Sequence, residues 1–274
     1  TGAAFRLPLQ EGFWLEAGIV AGCIAVLLGL SLNSSLRGHR RATVWVGGAS
    51  LTLLIALFIG YPHLNHFDQG LSALVQEHRS PWLDEVMVRI TQLGEFRKMF
   101  IASAIFTGLL LVARQWRHAV FVGATLAGAA VINTGTKLFF ARGRPEILTE
   151  PLTSFSMPSG HASGAFAFFL ALAVLAGRGQ PTRLRLTWML LGCIPAAFIA
   201  LSRVYLGAHW PTDILAGTLL AMTVCAFSLA VIQYRSPLPA MPQKTWWLLL
   251  PVLVAVLSFI ALTGTPHALL RYAY

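Results

Sequence analysis

Long apolar runs broken by short polar segments recur along the whole chain. Eight of them, at 14–32, 43–60, 99–113, 119–137, 162–177, 186–202, 211–233 and 246–264, approach the about 20 residues that a helix needs to cross bilayer hydrocarbon. With no water in that layer, every backbone amide and carbonyl must bond within its own segment, so helices are the expected form. The runs at 99–113 and 162–177 are short. The first gains reach from Arg97 and Lys98 snorkelling to the interface. The second starts earlier if Ser159 opens its helix. The expected fold class is therefore all-α, a polytopic membrane helix bundle of about eight spans.

Segment 61–98 breaks this rhythm, being too long and too polar for a tight hairpin. Its apolar positions Leu71, Leu74, Val75, Trp82, Leu83, Val86, Met87, Ile90 and Leu93 recur at spacings of three and four. That is the period of amphipathic helix, interrupted at Ser80-Pro81. Two placements fit: flat in the membrane interface with Trp82 at headgroup level, or packed over the end of the bundle. Segment 235–245, rich in proline, reads as an irregular connector.

Composition agrees with the spans. Of the 274 residues 56% are hydrophobic and only 11% charged, and the mean hydropathy is +0.69, values of a membrane protein rather than of a soluble domain. Cys23, Cys193 and Cys225 all fall inside apolar runs and read as small core hydrophobes, with no disulfide, metal site or cofactor inferred. The chain opens on Thr1, which reads as a cut from something longer. Glu11 and Glu16 stand where a signal peptide would carry basic residues, so no cleavable signal is expected.

The net charge of +10 does not point to nucleic acid, because the basic residues are scattered between apolar runs and no nucleic-acid module appears. Topology accounts for it. Eight spans put loops 33–42, 114–118, 178–185 and 234–245 on one side, carrying ten Lys and Arg and no acid. The other side receives all ten Asp and Glu and the other ten Lys and Arg. Short, uniformly basic loops mark the cytoplasm. Both termini and every polar cluster then face the other way.

Three polar clusters stand at the ends of the spans. In the last, His209 precedes Trp210-Pro211-Thr212, a helix opening with proline in its first turn, and Asp213 follows at i+4. An aspartate there can hold one imidazole nitrogen and leave the other free as nucleophile or base. It can equally well cap backbone amides. In the second, Pro158-Ser159-Gly160-His161 precedes an apolar helix. Ser159 is a good N-cap, and the free amides behind it favour an anion. Gly160 lets the backbone approach a ligand, and His161 can protonate a leaving oxygen. A plain helix start fits as well. In the first, Lys137, Arg142 and Arg144, together with Arg203 of the third, sit at span ends, either as snorkelling anchors or as cations converging on a phosphate.

Order and sidedness join the clusters. Lys137-(six residues)-Arg144-Pro145, Pro158-Ser159-Gly160-His161 and Ser202-Arg203-(five residues)-His209-(three residues)-Asp213 resemble the three-block signature of type 2 phosphatidic acid phosphatases, membrane lipid phosphatases that share a fold with vanadium haloperoxidases. The resemblance implies a metal-independent reaction through a phosphohistidine. It makes His209 the nucleophile, Asp213 its orienting partner and His161 the general acid. Lys137, Arg144, Ser159, Gly160 and Arg203 would hold the phosphate. It also implies a six-helix core over about 43–233, with residues 1–42 and 234–274 as additions. The opening Thr-Gly-Ala-Ala-Phe-Arg-Leu-Pro-Leu is similar to the junction of bacterial fusions in which a DedA-like domain precedes the phosphatase.

The expected activity is hydrolysis of a lipid phosphate or diphosphate at the outer face of a bacterial inner membrane, with undecaprenyl diphosphate the leading substrate. Phosphatidylglycerol phosphate, phosphatidic acid and lipid A phosphates are the alternatives. A transporter would place ionisable groups along the spans and use inverted repeats, whereas here they gather at one end. A lipid binder without turnover and a haloperoxidase are the remaining readings, set against an intact catalytic set and a greasy chain.

Overall fold

The computed structural model describes residues 11–37, 40–146, 152 and 154–263. Ten α-helices account for most of them: α1 (Glu11–Arg37), α2 (Arg40–Gly60), α3 (Asn65–Glu77), α4 (Pro81–Leu93), α5 (Phe96–Val112), α6 (Trp116–Phe140), α7 (Gly160–Gly177), α8 (Thr182–Tyr205), α9 (Pro211–Ile232) and α10 (Gln243–Leu262). A single 3-10 turn, Tyr61–His63, joins α2 to α3. Seven helices, all but α3, α4 and α5, are long and apolar enough to cross a membrane.

The eighth expected span is α5, which has only 17 residues. It nevertheless runs between the same two ends of the bundle as its neighbours. At its start, Gly94 is so close to Ile199 and His161 that an added Cβ would stand 2.5 Å and 2.9 Å from them. Past its end, Arg117 donates to the carbonyls of Ile232, Ser236 and Pro237 at 2.7–3.2 Å.

α7 is the central helix. Twelve of its residues are buried, most of them Ala and Phe, and it packs on α6, α8 and α9. Small side chains let helix backbones approach where hydrophobicity alone gives no drive for association. Two glycines mark the closest approaches. A Cβ on Gly192 of α8 would lie 2.8 Å from the Phe169 carbonyl, and one on Gly217 of α9 would lie 2.6 Å from the Ser159 carbonyl.

Helices α3 and α4 settle the two placements of 61–98 in favour of packing over the bundle end. Gln76 donates to the Val204 and Tyr205 carbonyls at 3.3 and 3.0 Å, and the Ser80 amide donates to the Tyr205 hydroxyl at 3.1 Å. Trp82 remains 69% exposed, free to sit among headgroups. The most buried positions mix apolar and polar residues: Phe67 and Val88 beside Asp68, Ser72, Thr91 and Gln92. The face turned to the bundle covers apolar side chains and a polar site together.

Two expected boundaries move. The basic loop placed at 33–42 is largely helix, since α1 continues to Arg37 and α2 starts at Arg40. Polar residues past the hydrocarbon extend a helix at no cost in backbone bonding. α1 is also fastened to α3: Glu16 accepts from the Phe67 amide at 2.8 Å and pairs with His66 Nδ1 at 2.7 Å. The segment similar to a fusion junction, 1–9, lies outside the described residues.

Candidate active site

All three sequence clusters meet at one end of the bundle, where α6 ends, α7 begins, α8 ends and α9 begins. The turn after α8 is shaped by backbone bonds: the amides of Ala208 and His209 both donate to the Arg203 carbonyl, at 2.9 and 3.2 Å. Gly207 allows the reversal with φ of +67°, a left-handed conformation natural to glycine. His209 is thereby turned inward and is only 2% exposed.

Asp213, 0% exposed, serves both roles that its spacing allowed. Its Oδ2 accepts from the Trp210 amide at 2.9 Å, capping α9, and stands 3.4 Å from His209 Nδ1. The second contact is long for a hydrogen bond but aligned with one. It leaves His209 Nε2 facing the cations, with Arg144 Nη1 at 3.1 Å.

His209 lies between α8 and α9, outside the spans. Burial first, and then the charges of Arg144, Arg203 and Lys137, hold its imidazole well below the ordinary histidine range, with a hydrogen bond to the Ser156 backbone opposing them. It is a neutral imidazole at neutral pH, the state in which Nε2 keeps its lone pair.

Two of the cations are held by Ser154 and Phe155, and the third by α4. Arg144 donates Nε to the Ser154 carbonyl at 2.6 Å and Nη1 to the Ala208 carbonyl at 2.6 Å. Lys137 donates Nζ to the Phe155 carbonyl at 2.6 Å. Arg203, 2% exposed, donates Nη1 to Thr91 of α4 at 2.9 Å. His161 lies in the field of Arg203, His209, Arg144 and Lys137 together and makes no side-chain hydrogen bond among the described residues.

Ser159 caps α7 as expected: its Oγ accepts from the Ala162 amide at 3.4 Å, and its own amide donates to the Asp213 carbonyl at 2.9 Å. The second bond locks the mouth of α7 to the mouth of α9. A Cβ on Gly160 would meet Asn133 Oδ1 at 3.5 Å, an ordinary contact, so protein packing alone does not demand glycine there.

Behind His209 lies a layer that the sequence did not expose. Arg142 donates Nη1 to Asp213 Oδ1 at 2.8 Å and Nη2 to Asp68 Oδ2 at 2.7 Å. Its guanidinium also stacks over Tyr61, 4.7 Å from the ring centre. Asp68 in turn accepts from the Thr212 amide at 2.9 Å and the Thr212 hydroxyl at 2.6 Å. Burial raises the Asp68 carboxyl above its ordinary range, against the opposing pull of Arg142 and Thr212. Arg142 was visible in the sequence as one more cation near the others. Asp68 carried a single signal, an acid on a helix face that also presents Phe67 and Leu71.

Such a site offers an anion three cations, the free amides of a helix start, a neutral imidazole braced by a carboxylate, and a second imidazole across from it. Residues 118–237 match the family model of the PAP2 superfamily. The chain is 29% identical over 172 residues to phosphatidylglycerophosphatase B of Bacillus subtilis, covering 60% of this chain and 83% of that protein. It is 28% identical over 191 residues to an undecaprenyl-diphosphatase of Sulfolobus acidocaldarius, covering 66% of this chain and 85% of that one. The fold superposes with a TM-score of 0.63 on a crystal structure of a transmembrane PAP2-type phosphatidylglycerolphosphate phosphatase from Bacillus subtilis, at 23% identity, covering 69% of this chain and 97% of that one.

Proposed function

We propose that this chain, which belongs to the PAP2 superfamily of membrane phosphatases, releases phosphate from a lipid phosphate or diphosphate through a phosphohistidine at His209. The observation that carries the reading is the pairing of His209 Nδ1 with Asp213 at 3.4 Å while Nε2 stands 3.1 Å from Arg144. A phosphate oxygen drawn to that guanidinium brings phosphorus to the nucleophilic nitrogen.

The reaction needs two displacements. His209 Nε2 attacks phosphorus as the bond to the leaving oxygen breaks, and His161 gives that oxygen its proton. Water then attacks the phosphohistidine, His161 takes its proton, and His209 is restored. Asp213 holds the Nδ1 proton throughout, which fixes the tautomer. Lys137, Arg144, Arg203 and the amides after Ser159 stabilise charge on the equatorial oxygens. No step calls on a metal. The six-helix core over 43–233 carries every one of these residues, and α1 and α10 flank it.

Undecaprenyl diphosphate is the favoured substrate. One supporting observation is likeness to a protein named undecaprenyl-diphosphatase. A second is the charge asymmetry, which supports a site on the exterior face of a bacterial inner membrane. Recycling that carrier lipid would serve cell-wall synthesis. Likeness to phosphatidylglycerophosphatase B favours a second reading, phosphatidylglycerol phosphate. The test is phosphate release in detergent from both lipids and from phosphatidic acid, with EDTA present, by the parent and by His209→Ala. Release by the parent alone is expected, fastest from undecaprenyl diphosphate. Equal release by both proteins, or loss with EDTA, would overturn the mechanism; a different best lipid would overturn only the substrate.

A further inference from the structure

The end of the bundle opposite the active site carries a second, unrelated feature. Where α2, α7, α8 and α9 converge there, they leave a partly open cavity of about 140 Å³. Its walls are apolar, with Val46, Leu170, Met222 and Leu229 among them, but two guanidiniums, Arg178 and Arg185, stand in the lining as well. α7 has 18 residues between Ser159 and Arg178, so about 27 Å of helix separates the Arg178 end of this cavity from the catalytic cluster.

Two like charges beside an oily cavity are costly unless an anion joins them. Arg178 is half-buried, and its side chain makes no hydrogen bond or ion pair among the described residues. Arg185 spends one Nη on the Thr182 hydroxyl at 3.1 Å. Burial, and then the charge of Arg185, pulls the Arg178 guanidinium below its ordinary range, and arginine still remains cationic. Among the described residues no acid stands at this end beside Arg178: the described acids fall in α1's first turns, α3, α4 and the stretches that flank the active site.

We propose that this cavity is a binding site for an anionic phospholipid of the adjoining leaflet. The phosphate would lie between Arg178 and Arg185, and part of one acyl chain between α2, α7, α8 and α9. The occupant is a lipid rather than free phosphate because the cations stand over an apolar slot, and a headgroup and a chain together satisfy both halves. Basic pockets between membrane helices bind anionic headgroups on this logic.

The test is native mass spectrometry of the delipidated protein after exposure to an equal mixture of phosphatidylglycerol and phosphatidylcholine. The parent should retain one phosphatidylglycerol preferentially. Arg178→Gln with Arg185→Gln should lower that preference at least fivefold while phosphate release at the distant site continues. Met222→Trp, which fills the slot without touching charge, should lower retention in the same way and keeps the test readable if the double variant fails to fold. Equal retention of the two lipids by the parent would overturn the proposal. So would displacement by millimolar inorganic phosphate, or phosphatidylglycerol lost on Lys137→Gln and kept by the double arginine variant, which would put the lipid in the catalytic pocket.

Discussion

Replacing Arg142 by lysine tests whether the layer behind His209 contributes to catalysis or only to folding. The guanidinium makes two short bonds at once, 2.8 Å to Asp213 and 2.7 Å to Asp68. A lysine keeps the charge but presents a single ammonium in place of a planar fork, so it cannot hold both carboxylates in one geometry. Asp213 would then shift, and its contact with His209 Nδ1 is already 3.4 Å, with little reach to lose. Outer partners of functional histidines are worth about 10–100-fold in activity, and loss of the orienting aspartate itself about 10⁴-fold in a well-studied triad. We therefore expect kcat of Arg142→Lys to fall about 10–100-fold with KM within twofold, because Arg142 holds Asp213 rather than substrate. Asp68→Asn should produce a smaller loss of the same kind, and the two changes together should fall short of additive, since both act through one network. The assay is steady-state phosphate release in detergent, alongside a thermal melt that confirms a folded protein. A folded Arg142→Lys with parental kcat, or a loss confined to KM, would refute the reasoning.

Other consequences are open to direct measurement. Asp213→Asn should lower kcat by about 10³–10⁴ and abolish trapping of an acid-labile phosphoenzyme, and parental trapping would contradict its orienting role. His209 resists protonation because burial and three cations oppose it, so the acid limb of kcat/KM should lie below pH 6.5, the ordinary histidine midpoint; a limb at or above that value would contradict the geometry. Gly217→Ala sets a Cβ 2.6 Å from the Ser159 carbonyl and should cost about 1–3 kcal/mol of stability by overpacking, read as a lower melting temperature with reduced activity. Glu16→Gln weakens the clasp on the Phe67 amide and His66 and should cost about 1–3 kcal/mol; an unchanged melting temperature would show that α1 is held by apolar contacts alone.

The spans and the three polar clusters that meet in the fold were legible in the sequence, and for a physical reason. Hydrocarbon forbids unpaired backbone, so apolar length reports helices directly, and ionisable groups in so greasy a chain stand out. Ser159 as the cap of α7 and Pro211 at the head of α9 followed from local rules alone. Asp213 was harder, because its spacing served a cap and a histidine partner alike and the folded protein uses it for both. The layer of Asp68, Arg142 and Thr212 was not legible. Its bonds join residues 70–144 positions apart, and no local period records such a meeting. The amphipathic reading of 61–98, interrupted at Ser80-Pro81, agrees with α3 and α4; what it could not show is that the same inner face also carries Asp68, Thr91 and Gln92 to the polar site.

Those long separations bear on how the protein is made. Asp68 enters the membrane surface with α3, but its cation Arg142 is 74 residues later and Thr212 is 144 residues later. His209 and Asp213 arrive only with the mouth of α9. Synthesis therefore completes α6 before Asp68 can meet Arg142, and reaches the mouth of α9 before either can meet Thr212 or Asp213. On the proposed chemistry, a chain interrupted before the mouth of α9 has cations and a cap but no nucleophile, and incomplete products would be inert toward the lipids around them. The arrival of α9 brings the three clusters together, and the order of assembly itself acts as the safeguard.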